Sequence, residues 1–279
     1  MKLEQWVLFI DMLGYRDING EIKDLQKAED FIKFMKSNIL IFEMQDTDKV
    51  KEGYKNGTYD LYAFYDIQIA FVSDSLIINY LPKEIADIPE EVRIRHSANT
   101  LFIIIKRLQT FLYNCLKEKN IIVRGGISSK FCLIDGGFAV GEGLIEAYTV
   151  ESKLAVYPRI CLSNEIASNK KLIDTFNQLC VLIYGVDSFL AKEDDGVLYI
   201  DYLKHNLSEP EHTVLHVRVK AAFFMLHKTT IETKLKDIQS RLDLTGSDSI
   251  RQLESVKDKI IWLKEYHNKT LSNYKEYLI

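Results

Sequence analysis

Cysteine is scarce in this chain. Its 279 residues hold four, Cys115, Cys132, Cys161 and Cys180, widely spaced among apolar neighbours and never as a C-x-x-C pair. That spacing argues against a zinc site and reads as reduced core thiols of a cytosolic protein. The six histidines are scattered and form no ligand motif. A basic surplus is missing too: 36 Lys and Arg stand against 40 Asp and Glu, for a net charge of −4. Binding to a nucleic-acid polymer, which usually needs a basic face, is therefore not expected. No apolar run is long enough to span a membrane, and Met1-Lys2-Leu3-Glu4 lacks a signal-peptide pattern. What is present is the material of a core. Hydrophobic residues make up 47% and charged residues 27%, which suits one large domain or one domain with an appendage.

One stretch organises the rest. Trp6-Val7-Leu8-Phe9-Ile10 is an almost unbroken apolar run that ends in Asp11, with Gly14 three residues later. Such a run reads as a central strand buried on both faces. An ionised Asp at its end wants a cation, a backbone cap or an exit to solvent. Gly14 permits a tight turn whose main-chain N–H groups can face an anion. The plainer reading is that Asp11 caps the next segment. A second stretch, Tyr65 to Tyr80, has two apolar strand candidates flanking a polar tip, Asp74-Ser75, and reads as a tight hairpin. Hairpin tips also carry Asp for turn reasons alone. Were the hairpin to lie beside the first strand, Asp11 and Asp74 would make a site for a hard divalent cation, with phosphates supplying the remaining oxygens.

Between and beyond these stretches the pattern is mixed. An amphipathic helix is expected over 27–43 and a polar surface loop over 44–60. The hairpin over 61–81 and a long helix over 94–118 follow, giving the order βαββα. Then comes Ile121 to Ser128, a strand broken by Gly125 and Gly126. Glycine inside a strand implies a bulge or a close approach to the backbone, here by a nucleotide or a partner subunit. Short strands at 131–134 and 138–141, a helix over 143–155, a strand over 157–163 capped by Ser163 or Asn164, and further strands over 179–203 complete this part. The acidic tip Asp194-Asp195-Gly196 reads as solvated. The last third is helical, with one helix over 211–242, a break at 245–248 and a second helix over 249–277. Its apolar stripe, Leu253, Val256, Ile260, Leu263, His267, Thr270, Tyr274 and Tyr277, suits a hairpin laid on the domain or across a subunit interface. His267 in that stripe reads as a packed core residue. The boundaries expected are 1–205 for the first unit and 206–279 for the helical hairpin.

Phe9-Ile10-Asp11-Met12-Leu13-Gly14-Tyr15 resembles the F-x-D-x-x-G-F signature of class III nucleotidyl cyclases. Ser73-Asp74-Ser75 stands where that family has its second metal carboxylate, and Arg124-Gly125-Gly126-Ile127 is similar to its R-x-G-I strand. Gly141 to Glu151, Tyr157-Pro158-Arg159-Ile160 and Lys259 to Asn268 resemble the Pycsar branch, which makes cyclic UMP or cyclic CMP in bacterial anti-phage defence. The resemblance implies an α+β fold: a ferredoxin-like, palm-like βαββαβ domain with a mixed sheet, plus a helical C-terminal extension.

It also implies roles. Asp11 and Asp74, with the main-chain carbonyl of Met12, would hold two Mg²⁺ or Mn²⁺ ions. The amides of Leu13, Gly14 and Tyr15 would cradle the triphosphate. Ala70 and Phe138 stand at the two base-reading positions, where purine cyclases carry Lys or Glu and Asp, so UTP or CTP is the expected substrate. Ile145 and Thr149 replace the Asn and Arg that serve the transition state in most of the family. Arg124 or Arg159 would then supply positive charge, although a strand Arg pairing with a local carboxylate is an equal reading. The resemblance implies a head-to-tail homodimer and an effector protein that responds to the cyclic product. Two other readings stay open: a cyclase-fold binding or regulatory protein without catalysis, and a different two-metal enzyme on a palm-like scaffold, such as a nucleotidyltransferase.

Overall fold

The computed structural model describes residues 3–43, 59–85, 88–208, 214–244 and 247–279. The expected loop over 44–60, the start of the first C-terminal helix near Glu211 and the break at Thr245-Gly246 lie wholly or largely outside these residues.

The apolar run forms β1 (Trp6–Leu13), followed by α1 (Tyr15–Glu21), α2 (Leu25–Glu43) and a helical turn α3 (Leu61–Phe64). The hairpin is β2 (Tyr65–Val72) and β3 (Ser75–Pro82), and the 30-residue helix α4 (Glu90–Lys119) leads to β4 (Ile122–Ser128). A separate two-stranded ribbon, β5 (Leu133–Asp135) and β6 (Phe138–Val140), precedes α5 (Glu142–Thr149), which runs on into a π-helical turn, Val150–Leu154. Then come β7 (Ile160–Leu162), α6 (Asn164–Ser168), α7 (Lys170–Tyr184), β8 (Leu190–Lys192), β9 (Leu198–Ile200), α8 (Tyr202–Ser208), α9 (Val214–Leu244) and α10 (Ser247–Thr270). The architecture is α+β, with a mixed seven-stranded sheet of order β2-β3-β1-β4-β7-β9-β8. Strands β1 to β4 pair antiparallel, β4 and β7 run parallel, and β9 is antiparallel to its neighbours β7 and β8.

The alternation along β1 sorts its side chains between two cores. Trp6, Leu8, Ile10 and Met12 belong to the main core, which α2, α4 and the C-terminal helices cover. Val7 enters a smaller cluster on the other face with Ala70, Ile77, Cys132, Ile134 and Ala147, and Phe9 packs against it. Asp11 therefore emerges on the face carrying α5. Gly126 is what lets that helix sit on the sheet. A Cβ there would lie 2.1 Å from the Ala147 carbonyl oxygen and 2.8 Å from Val150 Cβ. The close approach at Gly126 is thus made by the chain's own α5, while a Cβ at Gly125 would lie 2.8 Å from the Phe9 carbonyl oxygen of β1.

Three expected elements are corrected. The hairpin tip is Ser73-Asp74, because Ser75 already pairs with Val72 and with Asp11; Ser73 takes the left-handed backbone the turn needs, φ 59°. Residues 179–184 are the end of α7, and the strands expected over 179–203 shrink to the short β8 and β9. The last helix stops at Thr270 rather than 277. Beyond it the tail folds back, with Asn268 holding both the N–H and the carbonyl of Ile279.

The C-terminal hairpin lies on the rest of the chain. Phe223, Phe224, Ile231 and Ile238 of α9, and Ile260, Leu263 and Tyr266 of α10, belong to the same buried cluster as the sheet and α4. His267 is fully buried, as its place in the stripe suggests. All four cysteines are free and buried, and none of the described helices is long and apolar enough to cross a membrane.

Candidate active site

The ends of β1, β3 and β4 bring the acidic residues together. Asp11 stands opposite Ser75 on one side and Arg124 on the other. One residue on, the Met12 N–H donates to the Asp74 carbonyl at 3.2 Å, so the hairpin tip is tied to the end of the central strand. Asp11 does not cap α1; Gly14 occupies that position, in the left-handed region at φ 89°. The carboxylate of Asp11 instead accepts from Arg124, Nε to Oδ2 at 3.0 Å. Arg124 Nε also lies 2.6 Å from Oε1 of Glu151, on the π-helical turn. The Glu151 side chain is only 3% exposed.

Two residues of this cluster had no role assigned from sequence. Burial pushes the Glu151 carboxyl above its usual range; Arg124 opposes the shift, and Asp11 and Asp74 add to it. Burial, with the repulsion of Arg124, pushes the Lys259 ammonium of α10 down, while Asp11 and Glu151 pull the other way. Three carboxylates and two cations therefore share one electrostatic neighbourhood. A signal for Glu151 was present: it falls on the stripe Leu144, Ala147, Glu151, Leu154, where a buried carboxylate needs a cation. Lys259 carried no comparable signal, because α10 reaches the site only through the tertiary fold.

The donor set suits a hard divalent ion. Asp11 and Asp74 offer two carboxylates beside the Met12 main chain, the number that Mg²⁺ takes when phosphates complete its shell. Asp11 already engages Arg124 through one oxygen, so an ion would take its other oxygen or displace the guanidinium. Among the described residues no group of three or more His, Cys, Asp or Glu is placed to hold a metal ion.

The remaining predicted positions are spread out. Leu13 and Tyr15 are half-buried and Gly14 is exposed at the turn. Ala70 is buried in the smaller cluster, opposite Ile77. Phe138 on β6 is 79% exposed and Ile145 on α5 is 66% exposed. Thr149 turns its hydroxyl back to the Ile145 carbonyl at 2.7 Å. Arg159 is not at the site. It is 2% exposed, donates to the Leu154 carbonyl at 3.0 Å and to Asp195, and lies over the rings of Tyr157, Tyr199 and Trp262. Asp195, expected to be only solvated, is thus its ion-pair partner.

No family model matches the chain, and no curated protein matches it. Among solved structures, the crystal structure of the guanylyl cyclase Cya2 is similar with a TM-score of 0.30 at 10% identity, over 72% of this chain and 93% of that one. At that level of likeness the case for any activity rests on the residues of the site.

Proposed function

We propose that the chain is a nucleotidyl cyclase converting a pyrimidine nucleoside triphosphate, UTP or CTP, to its 3′,5′-cyclic monophosphate and pyrophosphate. The observation that carries the reading is the Met12–Asp74 hydrogen bond of 3.2 Å, which holds Asp11 and Asp74 at one end of two paired strands. The chain order βαββαβ with strand order β2-β3-β1-β4 supports it, since that is the order of ferredoxin-like, palm-like scaffolds. Ala70 and Phe138 offer no polar side chain to a purine edge, which favours UTP or CTP.

In the reaction the 3′-hydroxyl gives up its proton to water as its oxygen bonds to the α-phosphorus, the bond from that phosphorus to the bridging oxygen breaks, and pyrophosphate leaves with the electron pair. Bound Mg²⁺ or Mn²⁺ would supply Lewis acidity toward the hydroxyl and the leaving group. The chain's own part is positioning and charge. Asp11 and Asp74 would hold the ions, while Glu151 fixes the guanidinium of Arg124 against Asp11, where it would offer positive charge to the phosphates. A homodimer and an effector protein responding to the cyclic product complete the proposal.

The test is a screen of the four nucleoside triphosphates with Mg²⁺ or Mn²⁺, read by chromatography of the products. Cyclic UMP or cyclic CMP is expected, with Asp11→Asn and Asp74→Asn each lowering turnover by roughly a hundredfold or more. Wild-type turnover in either variant would remove the assignment. One observation favours a second reading, a nucleotide-binding protein without catalysis: Arg124 is already engaged by two carboxylates, and Ile145 and Thr149 bring no charge. Thermal stabilisation by a nucleotide without any product would establish that reading instead.

A further inference from the structure

The Nε atom of Arg124 carries a single proton, and two carboxylates stand within reach of it. Its hydrogen bond goes to Asp11 Oδ2 at 3.0 Å. Oε1 of Glu151 lies closer, 2.6 Å from the same nitrogen, yet it is buried and receives no hydrogen bond among the described residues. A buried carboxylate oxygen without a donor is costly. The contact between Glu151 and Arg124 is therefore half made: the charges meet, but the N–H points to Asp11.

The main chains of the three residues are fixed around this contact. Asp11 and Arg124 are opposite partners in the β1–β4 ladder. The π-helical turn that carries Glu151 sits directly on β4 at Gly126, where a Cβ would lie 2.7 Å from the Glu151 nitrogen. Turns of this kind interrupt helices most often at functional sites. The Arg124 side chain, 20% exposed, is the part left to move. Rotation about its own torsions turns the N–H from one carboxylate to the other and leaves the sheet undisturbed.

A divalent cation on Asp11 reverses which carboxylate needs the guanidinium. Asp11 is then neutralised, and an arginine held against it is repelled by the ion. Glu151 is still a buried carboxylate lacking a donor. We infer that Glu151 is a positioning residue for the metal site: it takes over the Arg124 N–H when a divalent cation occupies Asp11, so that no unpaired guanidinium is left behind. The inference rests on the cyclase reading in taking Asp11 as a metal ligand. It goes further in making metal affinity depend on a residue that acts only through Arg124.

The test is a double-substitution cycle on Mn²⁺ binding by the full chain without nucleotide, read from the electron paramagnetic resonance of the free ion. Glu151→Gln should weaken binding about tenfold, and the same change in an Arg124→Met background should alter it by less than about twofold. A carboxylate acting only through its own charge would weaken binding by the same factor in both backgrounds, and that result would overturn the inference. Absence of saturable Mn²⁺ binding by wild type, or its survival unchanged in Asp11→Asn, would overturn it as well. Far-ultraviolet circular dichroism checks that each variant is folded.

A second readout follows the guanidinium itself, by nuclear magnetic resonance of the chain labelled on its arginine nitrogens. The Nε–H signal of Arg124, identified by its loss in Arg124→Lys, should shift on addition of Mg²⁺ and stay protected from exchange with water. In Glu151→Gln the same signal should exchange rapidly once Mg²⁺ is bound. A wild-type signal indifferent to Mg²⁺ would mean that Arg124 stays on Asp11, contrary to the proposal. Coupled Mn²⁺ binding in a chain that forms no cyclic product would remove the cyclase reading and leave this one standing. Cyclisation with additive effects on Mn²⁺ affinity would do the reverse.

Discussion

Three buried histidines make the chain's stability depend on pH at the level of single residues. His267 Nε2 lies 2.8 Å from the Tyr277 carbonyl, so that nitrogen carries the proton and donates. His267 Nδ1 then accepts from His227 Nδ1 at 2.9 Å, and His227 Nε2 accepts from the Tyr202 hydroxyl at 2.8 Å. One carbonyl thus fixes both tautomers, and a further proton has no place in the chain. Burial holds both histidines below their usual range, His227 farther than His267. His205, between Phe189 and Tyr184, is pushed down to about 3, mainly by burial and then by Lys106. Because the folded state keeps these rings neutral, the unfolded state takes up more protons below pH 6.5, and stability falls as pH falls. His205 alone should cost about 2 kcal/mol between pH 6.5 and pH 5. Buried carboxyls such as Asp201, raised by burial, act in the opposite direction. The comparison is therefore thermal unfolding of wild type against His205→Phe across that range. A flatter pH profile is expected for the variant, and parallel profiles would contradict the assignment. The site is legible to different depths at this scale. Asp11 ends an apolar strand and Asp74 tips a hairpin, so local chemistry exposes both. Lys259 sits in an ordinary polar register of a helix, and only the way α10 docks brings it near Asp11, Arg124 and Glu151.

Among the elements, those with one long apolar face were readable and those whose apolar residues face solvent were not. The helix expected over 94–118 is α4, Glu90–Lys119, and the helix expected over 27–43 is α2, Leu25–Glu43. By contrast, Cys180 to Tyr184 reads as an apolar strand, yet it closes α7 with Val181, Leu182 and Ile183 exposed at 56%, 81% and 48%. The period is set by Leu172, Phe176 and Cys180 underneath. Docking of α10 depends on an aromatic stack that no spacing rule announces. The Trp262 ring stacks nearly parallel to Tyr157, 5.3 Å away, and to Tyr266, 5.5 Å away, with the buried guanidinium of Arg159 over it. Trp262→Ala removes both stacks and one of the three rings over that cation. A loss of about 3 kcal/mol is expected in urea unfolding. A loss below about 1 kcal/mol would mean that α10 is held by its aliphatic contacts alone.

For the molecule as a whole, the two faces of the sheet differ in what covers them. The main core is closed by α2, α4 and the C-terminal hairpin, whereas among the described residues the smaller cluster is covered by the β5–β6 ribbon and α5. Those two covers are joined to each other, Gly143 N–H to the Phe131 carbonyl at 2.8 Å. Their outer surface is strongly apolar: Phe131, Phe138, Val140, Ile145 and Tyr148 are between 53% and 79% exposed. So many large apolar side chains on two joined elements are more than a monomer usually leaves to water. The surface also carries Phe138 and Ile145, positions that the cyclase reading gives to base recognition and to the transition state. Within one chain they face solvent, so a second copy laid against this surface is the arrangement that would use them. Sedimentation of the wild-type chain should therefore show a dimer. Phe138→Asp with Ile145→Asp places two charges in that contact and should shift the chain to monomer, with cyclisation lost in step. The substituted side chains point to solvent in the isolated chain, so its melting temperature should stay close to that of wild type. A wild-type chain that sediments only as a monomer while active would overturn the shared-site dimer. A doubly substituted chain that remains an active dimer would exclude this surface.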